Sequence, residues 1–581
     1  DVIVAGFGGA GATAAITAAD AGAKVLLLEK APKGEEGGNT KVSGQGVLSP
    51  NNRERAITYY KNLRGNFGNQ SDAVITAMVD GMMQNREWMV SLGMERARIA
   101  DFPYPEYPEY EGADAMRIAS IDNGNDSKFY QLLHKNVTDR AGKIDVWYAS
   151  PAVQLIQDKE TRIIHGVRVQ NGGKTYNVRA INGVVLAVGG FENNDKMLEI
   201  YAQLPDAYSK GARYNTGDGI IMAIDVGAAL WHMSTLAGPD VNFINPDSGI
   251  AQGYMFTNTT SFPIWTDFGA YNIINVGGDG TRFMNETLPT KHGHLKTGGS
   301  YFGLQVPQNA WCVFDEAART SAKAYHAWSD GMVEEINKGW IVKADTIREL
   351  AALMGVPAAG LEKTVTDYNR YCAQGNDPDY HVDPKWLKPL SRGPFYAFPI
   401  KASLTNTQGG AERNERCEVL DVWGNPIPHL YSAGEFGSFY TDIYNGGGNL
   451  GECAFTGRIA GTNAAAPKND ISRSSVMGGK TPVNLSSDSG IQISLGAGEY
   501  LGKGMGMGGE LIVKVRMDGS RIASIEVVQQ HETVGIGDKA VTAIPAAIIR
   551  AQSTKVDTIT GATVTSSAII DAVNDALSKA R

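Results

Sequence analysis

Cysteine is scarce in this chain of 581 residues: only Cys312, Cys372, Cys417 and Cys453 are present. No pair stands in a C-x-x-C or C-x-x-C-H spacing, which excludes an attached haem c, a vicinal thiol redox pair and a cysteine-rich zinc site. No metal is therefore expected. No run of about 18 apolar residues occurs, so no segment is expected to span a membrane. The net charge is −9, and no basic block is long enough to follow a phosphate backbone, which argues against nucleic acid as a partner. The first residues, Asp1-Val2-Ile3-Val4, already read as the inside of a strand. The numbering is thus expected to begin after a trimmed or processed N-terminus, where any export signal would have lain.

Glycine, by contrast, is abundant, at 69 residues, which points to tight turns and close backbone approaches to ligands. Hydrophobic residues make up 43% and charged residues 20%, an ordinary globular balance. The length is too great for one core, so roughly two to four domains are expected.

Val2 to Ala5 is a short apolar run, followed by Gly6-Phe7-Gly8-Gly9-Ala10-Gly11 and an alanine-rich helical stretch to Ala21. Lys24 to Leu28 reads as a second buried strand, ending at Glu29 and Lys30, and Val184 to Val188 as another, ending at Gly189-Gly190. This β-α-β rhythm predicts an α/β fold with a parallel, Rossmann-like sheet. Gly6, Gly8, Gly9 and Gly11 leave a strand and open a helix, and Glu29 closes the next strand. That context is the dinucleotide fingerprint: glycines admit a pyrophosphate at a helix N-terminus, and the acid accepts ribose hydroxyls.

From about Trp231 to Leu404 the rhythm is lost and Pro, Asn and aromatic residues become frequent. The expected layout is a dinucleotide-binding domain at 1–233 and 405–466 with an inserted α+β cap at 234–404. Residues 467–482 have linker composition. A small α+β domain at 483–581 follows, with strands at Glu510–Met517 and Ile522–Gln529 and helices near Thr542–Ala551 and Ser566–Lys579.

The fingerprint alone does not separate FAD from NAD. Later segments do: Gly37-Gly38-Asn39-Thr40 through Ser43-Gly44-Gln45-Gly46, Gly189-Gly190-Phe191-Glu192, Thr216-Gly217-Asp218-Gly219, and Ala433-Gly434-Glu435. At these residues, in this order, the chain resembles the fumarate reductase/succinate dehydrogenase flavoprotein family over about residues 1–466. The resemblance implies non-covalent FAD, with Glu435 near the ribityl chain and Gly447, Gly448, Asn449 and Leu450 near the isoalloxazine. Likewise, Asp557-Thr-Ile-Thr560-Gly561-Ala562-Thr563 resembles the flavinylation motif of FMN-binding domains, implying FMN joined to Thr563 through a phosphoester. His531-Glu532-Thr533 and Gly535 resemble a stretch of the same domain that lies along the flavin. This implies a flavin transferase during maturation, an extracytoplasmic location in an anaerobically respiring bacterium, and an upstream electron donor protein or quinol-linked membrane system.

Fumarate reductases of that family bind a dicarboxylate through histidines and arginines. Here the corresponding stretches read Leu404-Thr405-Asn406-Thr407-Gln408-Gly409-Gly410, Tyr444-Asn445-Gly446-Gly447-Gly448, and Arg282-Phe-Met-Asn-Glu286 continuing to Lys291-His292-Gly293-His294. The clamp arginine position is taken by Asn445. So little positive charge disfavours two carboxylates. The Tyr444 stretch instead resembles the part of flavin-dependent ketosteroid dehydrogenases where a tyrosine and a glycine N–H polarise a carbonyl. The expected reaction is hydride addition to the C=C of an α,β-unsaturated acid or ketone, urocanate-like or cinnamate-like, with Tyr444 stabilising the enolate. Lys291, His292 or His294 stands at the proton-donor position. Arg413 reads as a single carboxylate partner or a salt-bridged surface residue, with the second favoured. The alternatives are a dehydrogenase desaturating a ketone or steroid-like ring, and a non-catalytic flavin electron carrier.

Overall fold

The computed structural model describes residues 1–64, 70–252, 273–287, 291–297, 299–321, 328–441, 443–468, 482–483, 495–506, 509–530, 537–559 and 562–580. It divides into two compact units, Asp1–Asn484 and Leu485–Arg581.

The first unit is organised on a six-stranded sheet in the order Glu418–Leu420, Pro426–Ser432, Gly183–Leu186, Val2–Ala5, Val25–Leu28, Ile144–Trp147. All neighbours are parallel except the outermost pair, Glu418–Leu420 with Pro426–Ser432. The inner strands are buried on both faces, which is why they read as unbroken apolar runs rather than alternating ones. The strand expected at Val184 to Val188 stops at Leu186. Beyond it the Ala187 N–H still bonds the Ala5 carbonyl at 2.8 Å, and the Gly6 turn closes against Ala187 and Val188: a Cβ on Gly6 would lie 2.2 Å from the Ala187 carbonyl oxygen.

Two helices cross behind this sheet, Gly9–Asp20 and Gly448–Ala465. Their contact is made of small residues. A Cβ on Gly457 would meet the Ala10 carbonyl at 2.7 Å, and one on Gly461 the Ala14 carbonyl at 2.5 Å. The pairing of Ala and Gly thus lets the two backbones approach closely, and it brings the N-terminus of the second helix toward the first β-α turn.

The inserted segment forms a second, mainly antiparallel sheet of seven strands around the long strand Phe395–Leu404. Asp240–Ile244 and Ala310–Asp315 flank that strand. Tyr208–Ser209, from the preceding segment, also pairs with it, in parallel. Helices Ile347–Met354 and Ala358–Gln374 cover this sheet through an apolar cluster that includes Leu350, Leu361, Val365 and Ala397. Pro482–Val483, placed by composition in the linker and the start of the last domain, instead forms a short strand antiparallel to Lys174–Arg179. Proline is admitted there because it begins an edge strand. Residues 469–481 of the expected linker lie outside the described residues.

The second unit is a three-stranded antiparallel sheet, Glu499–Gly506, Gly509–Asp518 and Arg521–Gln529, with helices Gly537–Ala551 and Thr563–Lys579. The first strand was not expected, because its glycines weaken the strand pattern. Those glycines have a packing cause. A Cβ on Gly502 would lie 1.8 Å from the Ala572 carbonyl, and one on Gly504 2.0 Å from that of Ala568. The helix lies directly on the strand's backbone, through Ala568, Ala572 and Ala576.

Among the described residues no helix is long and apolar enough to cross a membrane.

Candidate active site

The parallel sheet ends in a cleft. It is lined by Gly6, Gly8, Gly9, Glu29, Lys30, Gly38, Asn39, Thr40, Gly189, Asp218 and Glu435, all singled out from sequence. The strand ends and the helix N-terminus Gly9 open onto it, as in any doubly wound sheet that binds a dinucleotide. Gly9 approaches Thr40 so closely that a Cβ would stand 2.5 Å from its hydroxyl, and the Gly9 N–H donates to that hydroxyl at 3.0 Å. Lys30 holds the rim by pairing with Asp218 at 2.6 Å.

The Glu29 carboxylate accepts the Phe7 N–H at 2.8 Å and the Ala31 N–H at 2.6 Å, which fixes it at the cleft wall. Each oxygen retains a lone pair for a ribose hydroxyl. Burial raises its pKa above the ordinary carboxylate value, against these amide hydrogen bonds. Deeper in, Asn39 donates to Glu192 at 2.7 Å and to Glu435 at 2.9 Å, and Asn406 donates to Glu435 at 2.7 Å. Burial first, and the neighbouring Glu192 charge second, push Glu435 up to about 8. A carboxyl raised in this way can donate as well as accept near the ribityl hydroxyls and flavin carbonyls of FAD. The cradle therefore fits the cofactor that the fingerprint calls for.

Other residues singled out from sequence stand outside this lining. Gly11 closes the turn beneath it, where a Cβ would collide with the Gly6 carbonyl at 1.8 Å. The Ser43 hydroxyl donates to the Thr40 carbonyl, and Gly44 has open space at its Cα. Gly46 packs on Ile118, and Gly190 packs on Thr407 and Glu192. Gly448, Asn449 and Leu450 form the first turn of the Gly448–Ala465 helix, where Asn449 accepts from Gln408 at 2.7 Å. That helix connects two places. A Cβ on Gly448 would meet the Tyr440 hydroxyl at 2.2 Å and the Tyr444 ring at 3.2 Å, whereas Cys453 lines the FAD cleft. At 1.5 Å of rise per residue the two are about 7–8 Å apart along the axis.

The tyrosine end of the helix gathers residues from three segments. The His292 ring lies 4.8 Å from the Tyr444 ring, and Tyr440 stands 5.5 Å from Tyr444 on another side. A Cβ on Gly446 would meet Tyr104 at 2.7 Å and His292 at 3.0 Å. Tyr444 is buried, and burial followed by the charge of Glu106 raises its phenol far above the usual value, so it remains a donor. His292 Nδ1 lies 2.6 Å from Glu106 Oε1. Burial acts to lower the His292 pKa, but attraction to Glu106 outweighs it and the net direction is upward.

Lys291, also a candidate donor, is instead held by Glu109 and the Tyr301 hydroxyl, each at 3.0 Å, over the Tyr107 ring at 4.6 Å. His294 is buried, with Nδ1 3.1 Å from the His292 carbonyl oxygen. Sequence reasoning missed Glu106. The repeated Pro-Glu-Tyr of residues 105–110 was the available signal, since acids between prolines and aromatics are unusual on a solvated loop.

The buried arginines are committed elsewhere. Arg282 pairs with Glu286 at 2.8 Å and Asp377 at 3.0 Å, sandwiched by the rings of Tyr368 and Tyr380. Arg413 pairs with Glu452 at 2.5 Å. It is thus salt-bridged, as favoured, but in the interior and not on the surface: the Gly434 and Phe436 carbonyls also accept from its guanidinium there.

In the second unit Thr563 is exposed and is the first residue of the Thr563–Lys579 helix. Ser566 fixes the approach to it, accepting the Ile559 N–H at 3.0 Å and donating to the Ala562 carbonyl at 2.8 Å. Ala562 is buried. Gly561 and the stretch His531–Gly535 lie outside the described residues.

Comparison with known proteins gives a domain for each flavin. An FAD binding domain model matches residues 1–450 and an FMN-binding domain model residues 506–578. Urocanate reductase of Eggerthella lenta is 29% identical over 489 residues, 80% of this chain and 74% of that protein. Vinyl phenol reductase of Lactiplantibacillus plantarum is 28% identical over 509 residues, 80% and 96% of the two chains. Among solved structures, the open conformation of a flavocytochrome c3 fumarate reductase is similar at a TM-score of 0.57 and 27% identity, covering 80% of this chain and 78% of that one. A 3-ketosteroid-Δ4-(5α)-dehydrogenase from Rhodococcus jostii RHA1 gives a TM-score of 0.54 at 27% identity, covering 80% and 96%. Fold and site together define a flavin-dependent oxidoreductase acting on CH–CH groups. The chain belongs to the fumarate reductase/succinate dehydrogenase flavoprotein family and carries a C-terminal FMN-binding domain.

Proposed function

We propose that this protein is a respiratory reductase of an α,β-unsaturated acid or ketone with an aromatic body, urocanate-like or cinnamate-like rather than fumarate. The observation that carries this reading is the convergence of His292 and Tyr444 on the glycine turn 446–448, at the head of the helix that reaches the FAD cleft. Bound FAD, held by the cradle from Gly6 to Glu435, supplies hydride-transfer chemistry. The chain's own residues do the rest. The Tyr444 hydroxyl and the Gly447 N–H hydrogen-bond a substrate carbonyl and stabilise the enolate that forms as the β-carbon is reduced. His292 protonates the α-carbon. Tyr104, half-buried beside His292 and Gly446, offers a ring to a flat apolar body, and the commitment of Arg282 and Arg413 to internal acids disfavours a dicarboxylate.

Electrons enter, in this reading, through FMN attached to Thr563. Its hydroxyl is exposed, and a phosphoester there would sit at the positive end of a 17-residue helix. Such attachment implies a flavin transferase, an extracytoplasmic location and an electron donor protein or quinol-linked system upstream.

A second reading is desaturation of a ketone or steroid-like ring, favoured by the Tyr-Gly pair and the likeness to the ketosteroid dehydrogenase. A non-catalytic electron carrier is the third. The deciding experiment supplies the flavinylated protein with reduced viologen and a panel of aromatic enoates and enones. Viologen oxidation with one of them supports the reductase. Dye reduction by saturated ketones supports the dehydrogenase, and rapid flavin reduction with no turnover supports the carrier.

A further inference from the structure

Residues Lys291–His294 form a two-residue turn. Lys291 and His294 exchange both backbone hydrogen bonds at 3.1 Å, and the two central residues have positive φ, 47° at His292 and 86° at Gly293. Asn-Gly or Gly-Gly fills such a turn without strain. Histidine in the left-handed region costs on the order of 1 kcal/mol, and residues held there concentrate at functional sites. Glycine at 293 is required on separate grounds, since a Cβ would stand 1.9 Å from the Gly238 backbone carbon. The turn is therefore fixed, and it aims one imidazole at one carboxylate.

That carboxylate is Glu106, whose side chain is 1% exposed. Its Oε1 meets His292 Nδ1 at 2.6 Å, and its Oε2 accepts the Gly446 N–H at 2.6 Å. Its own N–H donates to Asn445 Oδ1 at 2.9 Å, which also accepts the Tyr59 hydroxyl at 2.9 Å. One acid thus joins the His292 turn, the glycine turn of the carbonyl-binding wall, and its own loop.

We propose that Glu106 is a positioning residue that makes His292 the proton donor: its carboxylate accepts the hydrogen bond of Nδ1–H, so that Nε2–H is the proton presented to the substrate. This inference rests on the reductase reading above. Bound reduced FAD would supply two electrons and a proton as hydride to the β-carbon, and the resulting enolate would carry the negative charge. The Nε2–H bond then breaks as the α-carbon–H bond forms, leaving a saturated product, oxidised FAD and neutral His292 with Nδ1–H on Glu106. The His292 side chain is 23% exposed, which gives solvent a route to return the proton. The groups that face His292 are Glu106, Tyr104, Tyr444, Asp240 and Lys210, the last two ion-paired with each other. Among them Glu106 acts most strongly, and it favours the charged form of the ring against the effect of burial.

The test compares wild type with E106Q, E106D, H292Q and E106Q/H292Q as FAD- and FMN-loaded holoenzymes. With reduced viologen and an accepted enoate, E106Q should lose on the order of 100-fold in kcat at neutral pH, with KM changed little. The alkaline limb of its pH profile should move at least about one unit toward acid. E106D should recover part of both, and the double variant should lose no more than H292Q alone. An unmoved limb in E106Q, or losses that multiply in the double variant, would overturn the proposal. Histidine-labelled holoenzyme gives a readout that needs no turnover: the NMR signal lost in H292Q should titrate at lower pH in E106Q, and in E106D should remain closer to wild type. An unchanged titration overturns the proposal. If no enoate is reduced but the titration moves as stated, the reductase reading fails and the dyad stands.

Discussion

His292 and Glu106 lie 186 positions apart in the chain, and their side chains meet at 2.6 Å between Nδ1 and Oε1. The pair joins a turn of the inserted segment to the loop between the antiparallel strands Ile99–Pro103 and Arg117–Ile121. It therefore acts in two ways, as a chemical group and as a clasp between two parts of the first unit.

The clasp has a pH signature. His292 has a raised pKa when folded, so its contribution is fully present below the ordinary histidine value of 6.5 and is lost as pH rises through the folded value. Thermal unfolding of FAD-loaded protein should show a decline in Tm above pH 6.5 that H292Q removes. Identical Tm–pH curves for the two proteins would sink this expectation.

Tyr444→Phe removes one of the donors placed where enolate charge develops. Loss of such a donor typically costs about 100- to 1000-fold in kcat. FAD content should remain at wild-type level, because the ring that packs on Gly448 is kept. Absorbance spectra and viologen-linked turnover check both parts, and unchanged turnover would rule the role out.

Much of this arrangement was legible in the sequence, for a physical reason. A glycine whose Cβ would collide with backbone leaves no choice of residue, so Gly6 and Gly11 mark the cleft in the chain as clearly as in space. Local chemistry likewise marks the Tyr444 turn. Glu106 was not legible because nothing local distinguishes it. Its role comes from three partners distant in sequence, Gly446, Asn445 and His292. Arg413 was misplaced on the surface for the same cause, since its acid, Glu452, lies on a helix 39 positions later. The strand Glu499–Gly506 was missed because its glycines serve a helix that packs on it, not the strand itself.

Arg413 and Glu452 are both buried, and the Ser438 hydroxyl and Phe439 N–H complete the acid's hydrogen bonds at 2.6 and 2.7 Å. Removing one charge leaves the other unpaired in the interior, at a cost of about 3–5 kcal/mol. Arg413→Met should therefore lower stability sharply in denaturant unfolding of the holoprotein, whereas Arg413→Met/Glu452→Leu should recover much of the loss. A double variant as unstable as the single one would mean that packing, not charge, sets the cost.

Thr563 is the last case, and it separates the two flavins. It is exposed at the first position of the Thr563–Lys579 helix. Thr563→Val, co-expressed with a flavin transferase, should fold, keep the FAD released by acid, and lack the FMN-sized mass that the wild-type chain carries. Denaturing mass spectrometry reads the covalent adduct, and the acid supernatant reads the FAD. Reduction by small viologens, which can reach FAD directly, should persist in the variant, while reduction through a physiological donor should fall by at least about tenfold. A wild-type chain with no added mass would remove Thr563 from the electron path. A variant that still carries the adduct would move the attachment to another hydroxyl, for which Thr565 and Ser566 are poor candidates because both are buried.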